Sequence, residues 1–361
     1  MTQDRYAVIM AGGKGERFWP LSTTRSPKQV LKLFGSKSLL QLAIERLNGL
    51  VPPENIFVVT SAELVEATAQ GAPELPKANI IGEPFGRDTA AAVGLGAALV
   101  KARNPEAAFC VVTADHLIGD LDVFQTTLRE SMQLAVEQDV LITMGISPNF
   151  PSTGFGYIES GESVSHDGEI AFFNAERFVE KPDLATAETY VDSGNFYWNS
   201  GMFVWSVKAI LSSLEAHHEP VAAMANAMLE HVGKDTFDAA LAEEYGKIDK
   251  ISIDFAIMEK ANNIIMAKGT FRWDDVGSWP ALQEHFPADV KGNVVLGECE
   301  SLDSTRNIVV SEERLTALIG VNDLVVVQAA NATLVCAKDR AQDVKAIVQS
   351  LQKRGGYDGL L

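Results

Sequence analysis

From residue 6 to about 145, short β-branched runs alternate with longer helical patterns, and this rhythm constrains the fold more than any other feature of the chain. The strand-like runs are Tyr6–Met10, Ile56–Thr60, Asn79–Ile81, Ala108–Thr113 and Val140–Met144. Between them the periodicity is helical over Ser38–Asn48, Ala62–Gln70, Asp88–Arg103 and Asp122–Glu137. Repeated strand–helix–strand units predict an α/β fold with a doubly wound, mostly parallel, Rossmann-like sheet covered by helices on both faces. Ligands of such sheets bind beyond the carboxyl ends of strands, which directs attention to the loops after residues 10, 81 and 113.

The pattern changes over about 150–275. Gly154–Glu159, Glu169–Glu180 and Ser200–Trp205 read as antiparallel strands, with helices at Leu184–Asp192, Val207–His217 and Asp254–Ala261. This stretch is expected to be an insertion that covers the open sheet edge and forms the second wall of a cleft. After Gly292 come five short strand-like runs: Val294–Leu296, Asn307–Val310, Leu315–Ile319, Leu324–Val327 and Ala332–Cys336. A final helix over Arg340–Lys353 follows. The expected division is a large domain over 1–290 and a small β-rich domain over 291–361 that ends in a helix.

Composition narrows the class of partner. The chain has 361 residues, 47% of them hydrophobic and 22% charged, as in ordinary globular proteins and unlike disordered ones. The longest apolar stretch, Thr89 to Val100, is far shorter than the ~20 residues a membrane span needs, so no membrane association is expected. Met1 to Arg5 runs straight into a strand without the order of a signal peptide, which predicts a cytoplasmic protein. Cys110, Cys299 and Cys336 lie far apart in apolar runs and read as reduced core thiols rather than as disulfides or a zinc site. A net charge of −18 argues against nucleic acid as a partner. Residues 1–40 nevertheless carry seven basic groups (Arg5, Lys14, Arg17, Arg25, Lys28, Lys32 and Lys37) against two acidic ones. A small polyanion bound there would account for the asymmetry, and a chance basic patch would do so equally well.

The first strand runs directly into Met10-Ala11-Gly12-Gly13-Lys14-Gly15-Glu16-Arg17-Phe18-Trp19-Pro20. Three glycines in four residues let backbone N–H groups approach an anion, and Lys14 and Arg17 add positive charge. Alone, such a run is more often a tight turn. It is not a Walker A loop, because Lys14 is followed by glycine and Val8 stands where the first glycine is required. The dinucleotide spacing fails as well, since Phe18 occupies the third glycine position, and this disfavours a nicotinamide-dependent oxidoreductase. Arg25-Ser26-Pro27-Lys28-Gln29 then brings further positive charge within a dozen residues. Val111-Val112-Thr113-Ala114-Asp115-His116 is a buried strand pattern that ends in a carboxylate, suited to Mg²⁺ or to a turn. Asp274 and Asp275, in Phe271-Arg272-Trp273-Asp274-Asp275-Val276-Gly277-Ser278, are a second acidic candidate.

Taken together, the glycine loop and the Pro27-Lys28 element resemble the N-terminal signature of the sugar-1-phosphate nucleotidyltransferases. That resemblance implies that Arg17 and Lys28 grip the triphosphate and the departing pyrophosphate. It implies too that Asp275, rather than Asp274, joins Asp115 as a magnesium ligand. Three further elements match in order: Gly154-Phe155-Gly156-Tyr157-Ile158-Glu159, Phe178-Val179-Glu180-Lys181-Pro182 and Trp198-Asn199-Ser200-Gly201-Met202-Phe203. By the same resemblance Glu180 and Asn199 serve the sugar ring and Lys181 its phosphate, and Gly156 belongs to the same sugar-phosphate site.

Base choice rests on Gly82-Glu83-Pro84-Phe85-Gly86-Arg87-Asp88-Thr89-Ala90. Guanine presents N1–H and N2–H donors, which Glu83 or Asp88 could accept. The stretch is similar to an element of mannose-1-phosphate guanylyltransferases, with Asp88 standing where that branch has Asn; Asp88 also suits a helix N-cap. Nucleotide contacts are therefore expected from Ala11, Gly12, Gly13, Lys14, Gly15, Glu83, Arg87, Asp88 and Thr89. The implied partners are GTP, mannose 1-phosphate, GDP-mannose and pyrophosphate, and a homodimer is one open assembly. The resemblance implies a β-helix-like C-terminal domain, too short to hold a fused isomerase, and hence a single activity. Rival readings are a transferase for heptose or glucose 1-phosphate and a catalytically silent sugar-nucleotide sensor.

Overall fold

The computed structural model describes residues 5–357 and 359–361. It forms two compact units, one made of the segment ending at Gly12 with 43–114 and 118–273, the other of 13–42, 115–117 and 274–361.

The first unit is built on a nine-stranded sheet. Its strands are β1 Arg5–Met10, β2 Ile56–Ser61, β3 Ile80–Glu83, β4 Ala108–Thr113 and β5 Leu141–Ile146. Then follow β6 Tyr157–Val164, β7 Phe172–Val179, β8 Phe196–Ser206 and β9 Ile264–Gly269. The spatial order is β3-β2-β1-β4-β8-β5-β9-β7-β6. Parallel pairing holds across β3-β2-β1-β4 and between β5 and β9. Strand β8 runs antiparallel between β4 and β5, and β6 and β7 are antiparallel as well. The sheet is thus mixed rather than mostly parallel.

The segment 150–275 does not merely cover a sheet edge, as the sequence suggests; it supplies β8 and β9 to the sheet interior. Strand β8 belongs there because Phe196-Tyr197-Trp198 and Met202-Phe203-Val204-Trp205 are buried on both faces. A strand covered on both sides reads as a continuous apolar run instead of an alternating one. The helix Thr89–Arg103 is buried from Ala90 through Val100, which explains why that stretch is apolar all round. Helices Glu219–Leu229 and Phe237–Gly246, for which the sequence gives no expectation, pack into the same core. Where a helix is expected over Asp254–Ala261, the backbone forms a π-helical turn, Asp254–Met258. Among the described residues no helix is long and apolar enough to cross a membrane.

The second unit contains β10 Val294–Leu296, β11 Cys299–Leu302, β12 Ile308–Ser311, β13 Thr316–Ile319, β14 Leu324–Gln328 and β15 Thr333–Ala337. Strands β10, β12 and β14 stack in parallel, β11 pairs in parallel with β13, and β15 closes the stack antiparallel to β14. Successive rungs are tied by asparagines. Asn293 Oδ1 accepts from the Asn307 backbone N–H at 2.9 Å, and Asn307 Oδ1 accepts from the Leu324 N–H at 2.9 Å. Such bonds satisfy buried backbone donors where the chain turns between strands. The core of this unit joins Phe18, Trp19 and Leu33 to Trp279, Ile308, Val325, Val344 and Val348. Residues 13–42 and 274–290 share this compact unit with the β-rich stack.

Candidate functional site

In the first unit, Glu83 is the last residue of β3 and is only 7% exposed. The Tyr245 hydroxyl donates to its Oε1 at 3.2 Å. Burial pushes the Glu83 carboxyl up to about 7; the Tyr245 bond opposes this rise and the nearby Asp88 charge adds to it. Gly12 lies beside the other oxygen, so that a Cβ there would stand 3.2 Å from Glu83 Oε2. Ala11 is buried; its N–H donates to Val59 at 2.8 Å and its carbonyl accepts from the Thr60 hydroxyl at 3.1 Å.

Asp88 caps the helix Thr89–Arg103, its Oδ1 accepting the Thr89 N–H at 2.9 Å. Its backbone, φ 67° and ψ −172°, lies in a region that is otherwise almost confined to glycine. Three bonds pin this strained loop to the segment after Tyr245. Arg87 Nε donates to the Tyr245 carbonyl at 2.9 Å, the Ile251 N–H to the Arg87 carbonyl at 3.2 Å, and the Ile253 N–H to Thr89 Oγ1 at 2.8 Å. The Arg87 and Thr89 side chains are thus engaged by residues 245–253.

A second cluster in this unit gathers Gly156, Glu180, Lys181 and Asn199. The Asn199 N–H donates to the Gly156 carbonyl at 2.8 Å, and Lys181, with φ +48°, bonds to Glu180. A Cβ on Gly156 would come within 2.5 Å of Glu180 Oε2, so only glycine leaves that carboxylate its place. Asn199 sits where the β5–β8 register shifts, and such irregularities re-aim side chains. Its Oδ1 accepts from the Thr143 hydroxyl at 3.0 Å and its Nδ2 donates to Asp254 Oδ1 at 3.0 Å. Burial, then the charge of Glu180, pushes the Asp254 carboxyl up to about 6. Asp254 opens the π-helical turn, a feature frequent at functional sites. Sequence reasoning misses Asp254 and Tyr245, because one looks like a helix start and the other like a core tyrosine.

In the second unit, residues 13–19 form the glycine loop. Lys14 and Arg17 are exposed, as is Gly13. Gly15 is left-handed at φ 61° and ψ 29°, and the Ser22 hydroxyl donates to the Lys14 carbonyl at 2.9 Å. Lys28, a surface lysine on sequence grounds alone, is 5% exposed. Its Nζ donates to Asp115 Oδ2 at 2.9 Å and to the Asp275 main-chain carbonyl at 2.8 Å. His116 Nε2 lies 4.0 Å from Asp115 Oδ1. Desolvation would raise the Asp115 carboxyl, but Lys28 and His116 outweigh it and hold the group below the usual carboxylate range.

Asp274 is taken up structurally, with Oδ2 2.6 Å from His285 Nε2 and Oδ1 accepting the Val276 N–H at 2.7 Å. This bond holds a turn in which Val276, a β-branched residue, has φ +47°. Asp275 behaves differently. Desolvation drives its carboxyl up to about 6; Lys28 and Arg17 oppose the rise, and Asp274 and Asp115 reinforce it. Among the described residues no group of three or more His, Cys, Asp or Glu side chains is placed to hold a metal ion. Two carboxylates with several phosphate oxygens would instead suit a hard cation such as Mg²⁺.

The family model for nucleotidyl transferases matches residues 6–292, and that for the mannose-phosphate isomerase/GMP-like β-helix domain matches 297–351. A mannose-1-phosphate guanylyltransferase of Escherichia coli is 37% identical over 358 residues, 98% of this chain and 74% of that protein. One from Salmonella montevideo is 40% identical over 97% of this chain and 74% of its own length. A crystal structure described as mannose-1-phosphate geranyltransferase from Thermus thermophilus superposes with a TM-score of 0.86 at 36% identity, covering 97% of this chain and all of that one. With its catalytic-domain and β-helix matches in sequence order and near-full-length relatives at this identity, the chain belongs to the nucleotidyl transferase family, among the mannose-1-phosphate guanylyltransferases.

Proposed function

We propose that this chain transfers GMP from GTP to mannose 1-phosphate, giving GDP-mannose and pyrophosphate with the help of Mg²⁺. The observation that carries the reading is the buried Lys28, which bonds to both Asp115 and Asp275, residues far apart in the chain. A sugar phosphate has a second pKa of about 6 and is largely a dianion at neutral pH, so no general base is needed. One of its oxygens attacks the α-phosphorus in line; a P–O bond forms as the bond to the β-phosphate oxygen breaks, and pyrophosphate departs. The chain's own contribution is positioning and neutralisation. Arg17 and Lys14 counter the triphosphate charge, while Lys28 holds Asp115 and offsets charge that develops on pyrophosphate. Magnesium held by Asp115 and Asp275 would supply further neutralisation and a template for the in-line geometry. The donor set fits it, because Asp275 is a carboxyl crowded by Asp274 and Asp115, a strain that a divalent cation relieves. Glu83 accepts from guanine, and Glu180, Asn199 and Asp254 bond to the sugar hydroxyls. The parallel run β3-β2-β1-β4 supports a Rossmann-like reading of that half of the sheet.

The test is pyrophosphate release with each of four nucleoside triphosphates against mannose, glucose and fucose 1-phosphates, with and without Mg²⁺. Release confined to GTP with mannose 1-phosphate and Mg²⁺ is expected. Turnover with another sugar would reassign the substrate, and no release with any pair would sink the enzyme reading in favour of a silent sensor. Within the sugar subsite, Asp254→Asn is expected to raise the KM for mannose 1-phosphate by roughly 10- to 100-fold, the value of a hydrogen bond to a charged group. Steady-state kinetics should leave the KM for GTP near its original value; an equal rise in both would place Asp254 outside the sugar subsite.

A further inference from the structure

A buried carboxyl requires partners, and Glu83 has few. Among the described residues of its compact unit no ammonium or guanidinium pairs with it, and the bond it receives comes from the Tyr245 hydroxyl. The neighbouring elements add little else that is charged. Helix Phe237–Gly246 offers Tyr245, the loop before helix Thr89–Arg103 offers Asp88, and β2 sets the uncharged Ser61 in register with Glu83. The Arg87 guanidinium, which could have neutralised the site, lies 4.8 Å over the Phe85 ring and bonds to the Tyr245 carbonyl. One carboxyl oxygen is therefore fixed by a phenol, and the other is left on the side of Gly12 with acceptor capacity to spare.

We propose that Tyr245 is the positioning residue for base recognition: its hydroxyl anchors Glu83 Oε1 so that Oε2 stays set to accept the N1–H and N2–H donors of guanine. The inference rests on the reading of the chain as a GTP-using transferase. Tyr245 is fitted to this task because it cannot easily lose its proton. Burial and the adjoining Glu83 hold its hydroxyl well above the ordinary tyrosine range, so it remains a donor. It is also fixed at both ends, by Arg87 at its carbonyl and by an edge contact between its ring and Phe85 at 6.3 Å. A protonated Glu83 would present a donor to donors, so base binding weakens as pH falls through the carboxyl's value of about 7. The Tyr245 bond favours the ionised form, and its removal moves that limb upward.

Tyr245→Phe keeps the ring and removes the hydroxyl. The acid limb of kcat/KM for GTP should shift up by about one pH unit, so that kcat/KM at pH 7 falls about fivefold and at pH 8.5 nearly matches the parent. The kcat at saturating GTP should not change, and titrations of GTP itself cancel because both proteins see the same substrate. Glu83→Gln provides the reference, with low kcat/KM for GTP and no acid limb near pH 7. An unshifted limb, or an equal loss at every pH, would overturn the assignment while leaving GTP use intact. Failure of the parent to use GTP at any pH would show instead that the functional reading is wrong, and the assignment would fall with it.

Discussion

Replacing either Asp115 or Asp275 by asparagine is expected to lower the rate of pyrophosphate release by roughly a thousandfold or more, the scale of a lost metal ligand or transition-state charge. Asparagine keeps the shape, so the loss measures charge. The two variants should differ in stability. Asp115 is the counter-ion of a buried ammonium, and its loss leaves Lys28 with only neutral acceptors. Because Asp115 is itself 36% exposed and solvent screens the pair, the cost is about 1–2 kcal/mol rather than that of a deeply buried ion pair. Asp275 stands on the other side of the balance, a carboxyl whose ionised form is disfavoured by desolvation and by two neighbouring acids. In metal-free buffer at pH 7.5, Asp275→Asn should match or exceed the parent's Tm, while Asp115→Asn should melt lower. Added Mg²⁺ should raise the Tm of the parent more than that of either variant. Near-normal turnover in one variant would remove that residue from the metal site.

That one buried lysine bonds to both Asp115 and the Asp275 main chain, positions separated by more than a third of the chain, is visible only in three dimensions. The first four parallel strands are legible because each is a short β-branched run bounded by turn residues. Strand β9, Ile264-Ile265-Met266-Ala267-Lys268-Gly269, has no alternation to mark it and is defined by its pairing with β5. Only the second half of β8 is readable, since Asn199-Ser200-Gly201 looks like a loop in sequence and is a register shift inside a strand in space. The candidate site divides in the same way. Gly15, Lys28 and Glu83 lie in recognisable local patterns, whereas their constraints come from afar. Lys28 is bonded to residues 87 and 247 positions away, and Glu83 to one 162 positions away. Local patterning shows where chemistry is placed; burial and long-range bonds decide which carboxyl is held below the usual range, as Asp115 is, and which is pushed up, as Glu83 and Asp275 are. Asp88 carries a different lesson. The sequence admits both a cap and a base contact there, and the structure adds a strained backbone that a cap alone does not require.

Gly15→Ala is the second substitution expected to abolish most activity, by at least about a hundredfold in turnover, through a residue that carries no chemistry of its own. An L-residue at φ 61° costs about 1–2 kcal/mol. The added methyl has a harder problem. It would stand 2.3 Å from Lys28 Cβ, 2.9 Å from Ser22 Oγ and 3.0 Å from the Lys28 backbone nitrogen. No flexible side-chain end can swing aside there, so the backbone carrying Lys28 must move. Lys28 in turn holds Asp115 and the Asp275 carbonyl, and displacements of about 1 Å at such a site cost about 100-fold in rate. The stability loss combines strain with overpacking, about 2–4 kcal/mol in all. Gly35→Ala separates the two effects. Gly35 has φ +110° in the same unit, but its added methyl meets nothing within 4 Å. It should lose stability to backbone strain and keep kcat within a few-fold of the parent. Thermal melts and pyrophosphate release on the two variants decide the matter. If Gly15→Ala retains full turnover, Lys28 has adapted, and its buried bonds to Asp115 and Asp275 do not govern the rate.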